Sequence, residues 1–255
     1  MKGKHFKEES KLSLISKILI LIFLAIFTYS AYKVGYWVKS NRDLKKLENE
    51  VFTKVVQEVP TEENNEESET QNQESAKIID FKQLLEINKD IIGWISIENT
   101  EINYPILQST NNDYYLKKDI YKKNSSCGSI FLDCKTKADF SEQNTVVYGH
   151  HLKSGGMFTQ LDKIYAGDLG NEVYIQIYTP ETSYKYQVIA SYIAKQSLSI
   201  VKKDFVNEQR QNYLENAMNK SKVKFKQVTN MQENILTLVT CHGEERTVIN
   251  AIRVK

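Results

Sequence analysis

A mainly β fold, a mostly antiparallel barrel carrying a few helices, is what the 255-residue sequence predicts. Three observations carry that expectation. Beyond about Ile78, short runs rich in Val, Ile, Thr and aromatic residues recur between turn-forming residues, the mark of strands. The chain holds 15 tyrosines, which suit half-buried pleated surfaces. Finally, neither an internal repeat nor a phosphate-cradling glycine loop points to another architecture.

The first 77 residues look unlike a core. Residues 18–32 carry no charge and are mostly Ile, Leu and Phe, and the run lengthens to 12–32 if Lys17 is tolerated. The uncharged part spans roughly 22 Å against about 30 Å of hydrocarbon, so Lys17 and Lys33 would snorkel outward. A cleaved secretory signal would put its apolar centre in the same place. Tyr29 spoils the small-x-small site before Ala31, which favours an uncleaved single anchor. The chain is exported on either reading. Lysines at 2, 4, 7, 11 and 17 are matched by Lys33, Lys39, Arg42, Lys45 and Lys46, so charge alone does not set orientation. Residues 41–57 read as a short charged helix. Residues 58–77 hold seven glutamates and too little apolar surface to offset ordering entropy, so 41–77 is expected to be a polar tether.

The compact domain is expected over 78–255. Ile78, Ile79, Phe81, Leu84, Leu85 and Ile87 have helical spacing, ended by Asn88-Lys89-Asp90. Strands follow at 91–97, 102–107, 129–133, 145–148, 172–178 and 184–192, with two more near the C-terminus. A polar helix over 204–219 interrupts them, with Phe205, Tyr213, Leu214 and Met218 as its apolar positions. With 34 basic and 32 acidic residues the net charge is +2, so no whole-chain field favours nucleic acid. Three cysteines are too few for a disulfide framework and leave at least one free thiol. Cys127 and Cys134 lie seven residues apart at the ends of an extended run, too far apart to bridge if it is straight, and read as structural filler.

Chemistry concentrates near the C-terminus. Thr237 through Cys241 and Thr247 through Ile252 read as two strands, with His242-Gly243-Glu244-Glu245 between them and Arg246 on the far side. Opposed residues on paired strands lie about 4.5–5.5 Å apart, so Cys241 and Arg246 would face one site. With Tyr148-Gly149-His150 upstream this makes a Cys/His/Arg constellation, the reason to read a thiol enzyme. His242 follows Cys241 directly and would point to the opposite face. Arg253 lies seven residues beyond Arg246, roughly 23 Å along a strand. His151 competes with His150 for the acid and base role. The four histidines and the carboxylates show no metal-ligand spacing, and neither a metal nor another cofactor is expected.

Thr237-Leu238-Val239-Thr240-Cys241 resembles the active-site strand of sortases, and Tyr148-Gly149-His150 their histidine motif. Gly93-Trp94-Ile95, Tyr104-Pro105-Ile106, Asn112-Asp113-Tyr114-Tyr115-Leu116 and Gly128 through Asp133 are similar to class B sortases in particular. The resemblance covers 78–255. It implies an eight-stranded closed barrel with an N-terminal helix and an extra helix before the cysteine strand. It also implies a cysteine transpeptidase on the outer face of a Gram-positive cell, with residues 1–40 as cytoplasmic tail and single-pass anchor. Cys241 would be the nucleophile, His150 the acid and base, and Arg246 the oxyanion partner. Asn112, Leu116 and Thr240 would line the substrate groove. Its partners would be surface proteins bearing a C-terminal sorting signal, cleaved after Thr, and a peptidoglycan precursor amine. The Cys241 to Arg246 gap is shorter than the class B loop, which trims one groove wall. A thiol hydrolase, with water as acceptor, and a tethered binding module with an incidental thiol are the competing readings.

Overall fold

The structure is a computed structural model that describes residues 12–58, 77–195, 204–206, 208–241 and 245–254. Helix α1 (Leu12–Leu47) continues through a π-helical turn (Glu48–Phe52) into the short α2 (Thr53–Val55). Strands β1 (Val56–Glu58) and β2 (Lys77–Ile79) pair with each other, and α3 (Phe81–Ile87) follows. Then come β3 (Ile91–Ile97), β4 (Asn103–Leu107), β5 (Ile130–Leu132), β6 (Asn144–His150), α4 (Leu161–Ala166), β7 (Tyr174–Tyr178) and β8 (Ser183–Lys195). Helix α5 (Gln209–Lys220) precedes β9 (Ile235–Cys241) and β10 (Glu245–Arg253).

Strands β3 to β10 close an eight-stranded barrel in the order β10-β8-β7-β3-β4-β5-β6-β9. Most neighbours are antiparallel, as expected, but β4 with β5 and β6 with β9 are parallel. A closed barrel has no free sheet edge, so its backbone donors and acceptors are paired around the ring. Alternation along β9 shows how the core is divided. Leu236 and Leu238 join the main core with Ile106, Val147 and Ile249. Ile235 instead meets Phe205, Leu214 and Val228 beneath α5. Between these layers Thr237 Oγ1 donates to Asn144 Oδ1 at 2.7 Å and accepts from Asn250 Nδ2 at 2.9 Å, while the same Asn250 amide donates to Tyr213 Oη at 3.0 Å. This buried polar net fixes β6, β9, β10 and α5 in one register, since each group would be costly to bury alone.

Three sequence expectations change. Ile78 and Ile79 lie on β2 rather than in the helix, because Asp80 caps α3, its carboxylate accepting from Gln83 N at 2.9 Å. The helix expected over 204–219 begins at Gln209, and α4 has no counterpart in the sequence reading. Most consequential, residues 40–56 pack against the barrel instead of forming a tether. Leu44, Leu47, Phe52 and Val55 are buried in the main core, their spacing setting one helical face inward. Phe52 meets the Trp94 ring edge-on at 5.2 Å and Tyr104 at 5.9 Å. Tyr104 Oη donates to Glu48 Oε1 at 2.6 Å. β1 pairs with β2, Val56 lying opposite Ile79 and Glu58 opposite Lys77.

Candidate active site

Parallel pairing of β6 with β9 sets Tyr148 against Val239, Gly149 against Thr240 and His150 against Cys241. Neighbouring strands lie about 4.8 Å apart, so backbone register alone brings the histidine and cysteine positions side by side across ninety residues of sequence. On the other flank β10 runs antiparallel to β9 with Val248 opposite Val239. Two residues further along that register Arg246 falls opposite Cys241, and on its outer side Arg246 pairs with Ala194 of β8. Three adjacent strands therefore deliver the three expected catalytic positions. His242 lies outside the described residues.

His150 is held from the loop that follows β4. Its Nε2 lies 2.7 Å from the Leu116 carbonyl oxygen. A carbonyl only accepts, so Nε2 carries the hydrogen, and Nδ1 is the nitrogen left to exchange a proton in the neutral ring. Room for this bond comes from Gly128. Its φ is +59°, and a Cβ there would stand 2.7 Å from His150 Cδ2 and 2.8 Å from the Leu116 oxygen. Gly149 is constrained similarly, since a Cβ would meet the Phe158 ring at 2.7 Å. The glycine of the Tyr-Gly-His motif thus lets an aromatic ring close beneath the histidine.

A polar cluster adjoins these strands. Tyr148 Oη donates to Asp133 Oδ2 at 3.2 Å, and Asn112 Nδ2 donates to the same oxygen at 3.0 Å. Burial and the Asp133 charge raise the Tyr148 phenol above its ordinary range, while the Arg246 cation pulls it the other way. Tyr148 accordingly stays a neutral donor between an acid and a guanidinium. The structure uses Asn112 as a strut, its Oδ1 accepting from Cys134 N at 2.8 Å. Leu116 contributes its carbonyl to the histidine while its side chain packs on the core. Thr240, expected at the substrate, is 0% exposed. It continues the inward face of Leu236 and Leu238, which puts its side chain out of a substrate's reach.

The competing residues are committed elsewhere. His151 Nε2 lies 2.7 Å from Asp162 Oδ2 on α4. Arg253 stacks 4.0 Å from the Tyr184 ring centre and donates to the Phe140 carbonyl at 2.6 Å and to Tyr186 Oη. Cys127 and Cys134 are both free, with burial pushing the Cys127 thiol up. Among the described residues no cluster of three or more His, Cys, Asp or Glu is arranged to hold a metal. Sequence reasoning missed Asp133 as the acceptor that ties Asn112 to Tyr148, and it missed Gly128, whose role lies in a backbone angle.

Comparison with known proteins agrees with this geometry. The sortase domain family model matches residues 95–254. Sortase B of Listeria monocytogenes is 30% identical over 238 residues, spanning 91% of this chain and 92% of its own length. Sortase B of Staphylococcus aureus is 32% identical over 163 residues, 63% of this chain and 67% of its own. The X-ray structure of Clostridium perfringens sortase B superposes with a TM-score of 0.64 at 30% identity, covering 69% of this chain and 100% of that one. A sortase B complexed with Gly3 gives 0.63 at 31% identity, covering 69% and 85%. A barrel of this order, a histidine and a cysteine in register on its parallel strands and an arginine across the hairpin thus coincide with matched relatives of one kind, and the chain belongs to the sortase family of cysteine transpeptidases, alongside its class B members.

Proposed function

We propose that this transpeptidase cleaves a C-terminal sorting signal of surface proteins after a threonine and passes the protein to an amine of a peptidoglycan precursor. The register of His150 with Cys241 is the observation that carries the reading. The Cys241 thiolate attacks the scissile carbonyl, and the acyl group remains on sulfur as the amine departs. His150 takes the thiol proton on Nδ1 as the thiolate forms, passes it to the departing amine, and later takes one from the incoming amine. Arg246 balances charge developing on the tetrahedral oxygen. The relative bound to Gly3 supports an amine acceptor over water.

The apolar part of α1 is the membrane anchor in this proposal. It has the length and composition to cross a bilayer, with the barrel on the extracellular side. Product analysis with peptides of Asn-Pro-x-Thr-x type, with and without triglycine, tests the function. Ligated product in the presence of the amine is expected. Hydrolysis at an unchanged rate, with no ligated product, would identify a thiol peptidase instead.

A further inference from the structure

Along α1 every residue from 15 to 35 is exposed, and Tyr36 is the first to be partly covered. Ser40, one turn later, is buried. Three bonds meet there. Ser126 N donates to Ser40 Oγ at 3.2 Å, the Cys127 thiol donates to Asn41 Oδ1 at 3.7 Å, and the Ser154 hydroxyl donates to the same Asn41 oxygen. Both contacting loops belong to the catalytic end of the barrel. Gly128, the residue after Cys127, lies against the His150 ring, and Ser154 is four residues beyond His150. The start of β9, by contrast, is about 20 Å away from Cys241 along the strand.

The position of that contact along the helix sets its height. Residues 18–38 would fill about 31 Å, matching about 30 Å of hydrocarbon, and Tyr36 and Trp37 would lie at the boundary where aromatic side chains prefer to sit. Ser40 and Asn41 then stand only about 3–5 Å beyond the hydrocarbon, inside a headgroup layer roughly 5–7 Å deep. Exposed Lys39, Arg42 and Lys153 supply cations at that level, suited to anionic headgroups.

We propose that the loops at 124–126 and 152–155 rest on the bilayer, so that the catalytic end of the barrel faces an anionic phospholipid surface. The inference rests on α1 spanning the membrane as proposed above. Held this way by a continuous helix, the site meets substrates at the surface of the membrane rather than at the end of a flexible leash.

The test uses the full chain in phosphatidylcholine vesicles containing phosphatidylglycerol, with benzoylphenylalanine replacing Lys153 or, as the distant control, the exposed Gln232. After irradiation, mass spectrometry should find severalfold more phospholipid adduct at 153 than at 232. Inserting four alanines after Val38, which lifts the barrel by about 6 Å, should lower the adduct at 153. Equal adducts at the two positions in protein that resists alkaline extraction would overturn the placement while leaving the anchor standing. Release of the chain by alkaline extraction would overturn the anchor and the placement together.

Discussion

At Gly128 the backbone runs at φ +59°, and the space a side chain would need holds the His150 ring and the carbonyl that fixes its tautomer. Gly128→Ala should displace the ring by a fraction of an ångström to an ångström and lower kcat by about 10²-fold, the scale of such misplacement, with the fold intact by circular dichroism. His150→Ala should remove nearly all activity and flatten the pH profile of the residual kcat/KM, whereas His151→Ala, which breaks the contact with Asp162, should keep its shape. The two arginines should separate similarly. Arg246→Lys keeps charge without the planar fork and should lower kcat by roughly 10²–10³-fold. Arg253→Lys should leave kcat unchanged and reduce Tm, because its ring stacking and its bond to Phe140 O lie far from Cys241. That positions 150, 241 and 246 belong to one site was legible because residue type and motif order are properties of sequence, and the strand register brings those positions together. Thr240 misled because the same motif neighbourhood does not reveal which strand face lines the core. Gly128 shows in the sequence only as a glycine within the 128–133 motif, since a positive φ leaves no mark beyond the glycine itself.

The segment that joins the apolar part of α1 to the barrel is a structural element in its own right. Phe52 fills an aromatic notch between Trp94 and Tyr104, and Phe52→Ala should cost about 3–5 kcal/mol in denaturant unfolding. A chain starting at Ile78 should likewise melt below one starting at Lys39, since it lacks Leu44, Leu47, Phe52 and Val55. A second tie joins the start of β3 to the loop after β4. Burial acts to raise the Asp90 carboxyl, but the Tyr115 hydroxyl and Lys122 ammonium together hold it below its ordinary value. Its stabilising contribution is therefore present above the unfolded pKa of about 3.9 and is lost as pH falls through the lower folded value. Tyr115→Phe weakens the opposition to burial and raises the folded pKa, so acid unfolding should begin at higher pH than in the wild type. Both docked segments were hard to read in advance. Residues 41–57 are charged enough to look solvated, and their apolar positions declare a core only once Trp94 and Tyr104 are seen waiting for them.

For the molecule as a whole, barrel closure is what makes the site. β6 and β9 are far apart in sequence, and their parallel pairing, with β10 folding back on β9, places residues 150, 241 and 246 in one row. Strand positions were legible from period and composition, because alternation is local. The parallel pairings were not, because pairing between distant strands depends on the whole ring closing. The buried Asn144, Thr237, Asn250 and Tyr213 net that fixes this register likewise joins four elements that no local pattern connects. The most direct measurement of the central claim is mass spectrometry of the enzyme trapped with a sorting-signal peptide, followed by a chase with triglycine. An acyl adduct on Cys241 alone, absent in Cys241→Ala, retained when Cys127 or Cys134 is changed to Ser, and discharged onto the amine, is the expected result. Turnover persisting in Cys241→Ala, or an adduct on another residue, would contradict the account.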